Sequence, residues 1–163
     1  MRGSLWLAVL VLAACGGGGS SEDDVRRGPD GLPIGPPPSR IVHVVTVASF
    51  DDDPGRLGDY QQVGQDGRVR IRDDVLLAAP EVAVRTIMHE LGHAMGLSHL
   101  PGTGCIMDSI GGAGLTPCAA ELAGLAAGSV TVYAGATPGL YNRVRSAAGD
   151  WNGPAGRVVF LVP

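Results

Sequence analysis

The stretch from His89 to His99 carries side chains whose types and spacing could hold a catalytic metal ion. It has the form H-E-x-x-H-x-x-G-x-x-H. His89 and His93 are four residues apart, so on a helix their imidazoles lie one turn apart on the same face. Two imidazoles at that spacing can bind one Zn²⁺, and Glu90 can reach a water at the metal without being a ligand.

The residues after His93 predict where the helix ends and where a third ligand comes from. Gly96 can adopt a positive φ, which is a common way for a helix to stop. We expect the chain to turn back there and His99 to become the third ligand. The fourth position would stay open for water, as a catalytic zinc requires.

This pattern resembles the zinc site of metzincin metallopeptidases, and within them most closely the matrixin group. In that family a methionine follows in a tight turn beneath the metal, and here Met107 in Cys105-Ile106-Met107-Asp108 occupies that place. The resemblance implies a zinc-dependent endopeptidase that acts on protein or peptide, with Glu90 as general base. Met107 would shape the floor of the site without binding the metal. The alternative is a catalytically silent zinc-binding surface lipoprotein that acts as a binding module.

The chain departs from relatives of this family at two places. Astacin-like and serralysin-like metzincins have a tyrosine two residues beyond the methionine, but Ser109 stands there, so we expect no oxyanion stabilisation from such a tyrosine. Arg27-Gly28-Pro29-Asp30 faintly resembles the matrixin propeptide segment whose cysteine caps the zinc. Because it contains no cysteine, we expect no latency of that kind.

Length and charge bound the remaining possibilities. The chain has 163 residues and a net charge of −4, which allows one domain after removal of a leader. Mild acidity and the lack of a basic cluster argue against nucleic acid as a partner. We expect a monomer.

The first fifteen residues are typical of a lipoprotein signal peptide. The apolar run Leu5 to Leu12 is too short to span a membrane as a mature helix. Leu12-Ala13-Ala14-Cys15 then resembles a bacterial lipobox, in which Cys15 is lipidated and anchors the protein to a membrane. We expect a cell-envelope location, at the outer membrane if the source is Gram-negative. The alternative is an ordinary signal peptide and a secreted protein.

Residues 16–39 predict a disordered linker, and residues 40–163 the catalytic domain. The linker runs from Gly/Ser through an acidic stretch to Pro36-Pro37-Pro38 and shows no apolar periodicity. Ile41 to Phe50 is apolar at nearly every position, which predicts a central strand covered on both faces. His43 within it is expected to be structural. Asp51 to Gly55 predicts a turn, with a calcium site as the weaker alternative.

Gly67 to Arg72 alternates charged and apolar residues, which predicts a half-exposed edge strand. In metzincins an edge strand above the cleft pairs with the extended substrate. By that resemblance and by position, the candidate substrate strand consists of Val69, Arg70, Ile71 and Arg72.

The helix that carries the histidines should begin at Pro80, a good first-turn residue. Its buried stripe should contain Ile87, Leu91 and Met95. By analogy with the family, the glycine-rich loop from Ser109 to Thr116 would form a wall of the pocket for the substrate side chain. Thr116-Pro117 should then cap a short helix that runs through Ala126.

A typical metzincin places a strand, a long helix and further strands before its zinc helix. The span from Arg40 to Pro80 holds two or three strands and no long helix. The missing elements are predicted at the other end, as a strand at Val130 to Tyr133, a helix opened by Thr137-Pro138, and a strand at Arg157 to Val162. The two strands should be parallel to each other and lie in one sheet with Ile41 to Phe50. The helix should pack on that sheet with Leu140, Val144 and Trp151 facing inward. We therefore expect an α+β domain with a mixed twisted sheet, in which the unit 128–163 is circularly permuted. The alternative is a truncated domain with an unrelated tail.

Two cysteines remain after Cys15 is assigned to the lipid. Cys105 and Cys118 flank the loop that carries Met107, and an exported chain encounters an oxidising compartment. We expect them to form a disulfide. Two free thiols, or a thiolate on the zinc, are the disfavoured alternatives.

Overall fold

The computed structural model describes residues 38–108, 116–125, 128–152 and 157–162. In this part the chain is α+β, as predicted. The elements in chain order are β1 (Ile41–Val47), β2 (Gly58–Val63), β3 (Asp66–Arg72), α1 (Asp73–Ala78), α2 (Pro80–Ala94), α3 (Ala119–Gly124), β4 (Gly128–Ala134), α4 (Leu140–Trp151) and β5 (Arg157–Val162).

The strands form one mixed sheet in the order β2-β3-β1-β4-β5. β1 is parallel to both of its neighbours, β3 and β4, and β4 is parallel to β5. Only β2, at one edge, runs antiparallel to its neighbour. The prediction that the two C-terminal strands are parallel and share a sheet with β1 is therefore confirmed.

β1 is shorter than predicted and is covered by the described helices on one face only. It ends at Val47 and not at Phe50. Val42 and Val44 are fully buried in the core that α2 and α4 complete, whereas His43 points to the opposite face, is exposed, and stacks on Tyr133 with ring centroids 5.3 Å apart. In the described part of the chain, the prediction of cover on both faces is wrong.

β3 is an inner strand, so the predicted edge strand at Gly67 to Arg72 is wrong. It pairs with β1 along one side and with β2 along the other. The backbone groups of Val69 to Arg72 bond to neighbouring strands within the sheet. The strand at this edge of the sheet is β2. The alternating arginines of β3 lie on the face of the sheet opposite to the core that α2 and α4 complete. There Arg70 forms an ion pair with Asp59 and lies over the Phe50 ring, 5.1 Å from its centroid.

The acidic stretch before β2 forms the turn that the sequence favoured. The Gly55 N–H donates to a carboxylate oxygen of Asp53 at 2.9 Å, which is the local bond expected of a turn aspartate. Arg56 forms an ion pair with Asp52 at 3.0 Å. The carboxylates here therefore meet a backbone amide and a guanidinium.

α4 packs beside α2 on the same face of the sheet, and its inward side is the predicted one. Leu140, Val144 and Trp151 are fully buried. The helix begins at Leu140, later than the predicted Thr137-Pro138, after Gly139 with φ of +82°. The Thr137 hydroxyl does not cap it but shares a hydrogen bond with the hydroxyl of Thr46 in β1.

Two short helices complete the described chain. α1 follows β3 directly and was not predicted, and its buried side is Val75 and Leu76. α3 is shorter than predicted and is capped by Cys118, two residues after the predicted Thr116.

We predict that Trp151→Phe destabilises the metal-free protein by about 2 kcal/mol. The indole N–H of Trp151 donates to the Met88 carbonyl in α2 at 3.0 Å, both groups being buried, so the variant removes this buried bond and leaves the carbonyl with only its bond within the helix. Urea denaturation measures the effect. Tyr141→Phe, on the exposed side of α4, is the control, and an equal loss in both variants would contradict this role of the indole.

Candidate metal centre

α2 is the platform of the site. Pro80 is its first residue, as predicted, and Ile87, Leu91 and Met95 form the buried stripe that packs it on the sheet. Packing on that side fixes the rotation of the helix about its axis. His89 and His93, one turn apart, therefore lie on the same side of α2.

Gly96 ends this helix and turns the chain back. Its φ is +94°, a conformation that glycine adopts without strain. The Gly96 N–H donates to the His93 carbonyl and the Leu97 N–H to the Gly92 carbonyl, at 2.9 and 3.0 Å, which is a Schellman termination. The reversal brings His99 over the two helical histidines, as the sequence predicts.

The three histidines converge through one atom each. The Nε2 atom of His99 lies 3.1 Å from Nε2 of His89 and 3.2 Å from Nε2 of His93. Together these side chains form a group that could bind a metal ion.

The remaining ring nitrogens of the two helical histidines contact backbone carbonyls. Nδ1 of His89 lies 2.7 Å from the Ile106 oxygen, and Nδ1 of His93 lies 2.9 Å from the Leu97 oxygen. A carbonyl oxygen only accepts, so in each ring Nδ1 carries the proton and donates. A neutral ring then has a bare lone pair on Nε2, directed at the other histidines, which is the form that binds metal.

Burial keeps these imidazoles neutral. It lowers the pKa of His89 to about 4 and that of His93 to about 3, from an ordinary 6.5, because the charged form loses its hydration. The pKa of His99 is lowered for the same reason. At neutral pH all three rings are therefore available as ligands without first losing a proton.

Two buried carboxylates accompany the histidines. Glu90, beside His89 on the helix, is 2% exposed, and Asp108, after Met107, is 6% exposed. The Leu100 N–H donates to the Met107 carbonyl at 2.9 Å, which brings His99 next to Asp108. The Asp108 charge acts to raise the pKa of both His89 and His99, although burial outweighs it. Negative charge so close to neutral histidines favours a cation at their convergence.

Met107 packs against Gly92 of α2, and its turn is held by Glu121, which the sequence did not single out. The carboxylate of Glu121, fully buried in α3, accepts from the Met107 N–H at 2.5 Å and from the Cys118 N–H at 2.8 Å. Glu121 follows the helix cap Cys118 by three residues, the spacing of a capping box. The spacing between Cys118 and Glu121 could have indicated this role in the sequence. It was missed because the helix cap was predicted at Thr116.

The disulfide between Cys105 and Cys118 is formed, with their Cα atoms 5.7 Å apart. It joins the Met107 turn to the start of α3 and so acts together with Glu121. Thiolate ligation of the metal, the disfavoured alternative, does not arise from these cysteines, because both sulfurs are in this bond.

The predicted substrate strand has no free edge that could pair with a peptide beside the histidines. Val69 to Arg72 lie inside the sheet, and β2 is the edge strand beside α2. Its Tyr60 ring lies 6.5 Å from the His93 ring, centroid to centroid.

Other predicted features fall outside the described residues. These are Cys15 with its lipobox, most of the linker, and residues 109–115 of the predicted pocket loop. Among the residues described, no helix combines the length and the apolar character that crossing a membrane requires.

Comparisons with protein-family models, with curated proteins and with solved structures found no match. A function for this chain is therefore supported by the geometry of the site and by the sequence resemblance.

We predict that Gly92→Ala destabilises the protein by about 1 kcal/mol and weakens metal binding. A Cβ at Gly92 would overlap the Met107 sulfur and lie 3.3 Å from Trp151, so Met107 must move in a packed core. At an ordinary helix position the same change stabilises, by roughly 0.5–1 kcal/mol. Gly149→Ala in α4, where a Cβ meets nothing within 4 Å, is the matched control. Equal stabilisation by both changes, measured by urea denaturation, would refute the close contact.

We also predict that the metal-free protein loses stability as the pH falls from 6.5 towards 4. Because the folded pKa values of His89 and His93 are depressed, the unfolded chain takes up protons first and acid favours unfolding. Each histidine contributes at most about 1.4 kcal/mol per pH unit, and the loss levels off below their folded pKa values. His93→Asn, which keeps a donor for the Leu97 carbonyl, should show a shallower slope in denaturation curves. An unchanged slope would contradict the prediction.

Proposed function

We propose that this chain is a zinc-dependent endopeptidase of the metzincin type, closest to the matrixins. The observation that carries the proposal is the convergence of three imidazoles through their Nε2 atoms beside the buried Glu90. Two of these rings, His89 and His93, are held by backbone carbonyls with the Nε2 lone pair towards that point. This arrangement belongs to the H-E-x-x-H-x-x-G-x-x-H sequence and is followed by a buried methionine in a turn, as the resemblance requires.

The histidines fit zinc in particular. Zinc in a tetrahedral site lies 2.0–2.1 Å from imidazole nitrogen, which puts pairs of such nitrogens about 3.3 Å apart. The distances from Nε2 of His99 to Nε2 of His89 and of His93, 3.1 and 3.2 Å, are close to that value. His89, His93 and His99 would hold the ion and leave one position open.

Glu90 is the proposed proton carrier. When bound, zinc would supply Lewis acidity that polarises a peptide carbonyl and acidifies a water molecule. The Glu90 carboxylate takes the proton from the attacking water and passes it to the nitrogen of the leaving amine. Met107 and Asp108 do not react: Met107 supports the histidines from below, and Asp108 adds negative charge beside two of them.

An extended substrate would pair with the edge strand β2, which replaces the predicted Val69 to Arg72 in this role. Among the described strands, β2 lies at one edge of the sheet and pairs with β3 on one side. Its other side can form backbone hydrogen bonds with a peptide. Tyr60 places this strand beside His93. A peptide bound there would run past the metal position.

Circular permutation is the arrangement we propose for the domain. The strand–helix–strand unit β4-α4-β5 is what a matrixin-like domain is expected to begin with, including Ala147-x-x-x-Trp151-Asn152. Here it comes last in the chain, yet β4 pairs directly with β1 and Trp151 bonds to α2. An unrelated tail would not be expected to contribute an inner strand to the sheet. With Cys15 lipidated, the enzyme would be tethered in the cell envelope through the predicted linker.

Peptide cleavage by the zinc-loaded protein tests the proposal. A broad peptide library should be cut, a chelator should abolish the cutting, and zinc should restore it. Glu90→Gln should keep stoichiometric zinc and lower the rate about 10²- to 10⁴-fold, the usual contribution of a general base. Glu81→Gln, an exposed change on the same helix, is the control.

If the wild type binds one zinc per chain and cuts nothing, and Glu90→Gln behaves identically, the proposed enzyme is wrong. A zinc-binding module at the cell surface would then be the better conclusion.

A further inference from the structure

Ser39, the second described residue, is buried although it is the last residue of the predicted linker. It is 1% exposed. Its N–H donates to the carbonyl of Ala94, the last residue of α2, at 2.8 Å. Ala94 follows His93, so this bond holds the helical turn that carries a metal ligand.

The Ser39 side chain contacts the same turn by a second route. Its hydroxyl shares a 2.8 Å hydrogen bond with the Tyr60 hydroxyl, and the Tyr60 ring lies beside the His93 ring with 27° between their planes. Gly67 leaves the room for this pair, since a Cβ there would lie 2.7 Å from the Tyr60 ring and 2.9 Å from the Ser39 hydroxyl.

We propose that Ser39 and Tyr60 are a positioning pair for His93, which couples the point where the linker joins the domain to the metal centre. Neither residue touches the metal position. Tyr60 limits the tilt of the His93 ring, while the Nδ1 bond to Leu97 fixes its rotation. The inference rests on the proposed zinc centre, and it adds two residues outside the zinc motif to the groups that set metal affinity.

Zinc affinity of full-length variants, measured by competition with a chromophoric chelator, tests the pair. Ser39→Ala and Tyr60→Phe should each weaken zinc binding roughly threefold to tenfold, the worth of one hydrogen bond. The double variant should be no weaker than the weaker single, because either change removes the same bond. Ser146→Ala and Tyr141→Phe, both on the exposed side of α4, are the matched controls and should bind as wild type does.

Zinc binding within twofold of wild type in both variants, or losses that multiply in the double variant, would overturn the pair. Amide exchange of the wild type provides a second test that needs no variant. By reciprocity, zinc should slow exchange at the Ser39 amide more than at the Thr131 amide, which donates to Arg40 in the neighbouring strand. Equal slowing at both amides would also refute the coupling. Neither readout involves cleavage, so a zinc-binding protein that cuts nothing would refute the proposed enzyme and leave this test decisive.

Discussion

Three imidazole nitrogens with bare lone pairs repel one another at 3.2 Å unless a cation or proton lies between them. In this chain two backbone carbonyls, of Ile106 and Leu97, impose that arrangement, because each takes the Nδ1 proton of a helical histidine. Both carbonyls belong to segments that follow α2. The rest of the structure can be understood as what holds those two segments against the helix.

Each segment is held by its own device. The turn at Gly96 places Leu97 by two backbone hydrogen bonds, and only a residue at ease with positive φ permits it. The turn at Ile106 and Met107 is held by Glu121 and by the disulfide from Cys105 to Cys118. Beneath both, Gly92 allows Met107 and Trp151 to approach the helix backbone. α4 therefore contributes to the metal centre although it is remote from the zinc motif in sequence.

The sequence predicted the parts of the structure that depend on local pattern. The span of α2, its buried stripe, the histidine constellation and the disulfide could all be read from residue types and spacing. The C-terminal strands were also predictable, because β1 is too apolar to stand at an edge. The arginines of β3 misled because alternation shows which face of a strand is polar, and not whether the strand has one neighbour or two. The start of α4 was misplaced because Thr137 bonds to Thr46, a contact that is distant in sequence. The role of Glu121 likewise depends on a contact with Met107, which is distant in sequence.

X-ray absorption at the zinc edge of the full-length protein tests the central claim most directly. The account predicts one zinc per chain with three imidazole nitrogens and one oxygen at about 2.0–2.1 Å, and no sulfur. His99→Ala should lose one imidazole from this shell and bind zinc more weakly. A shell that contains sulfur, or one that is unchanged in His99→Ala, would contradict the account.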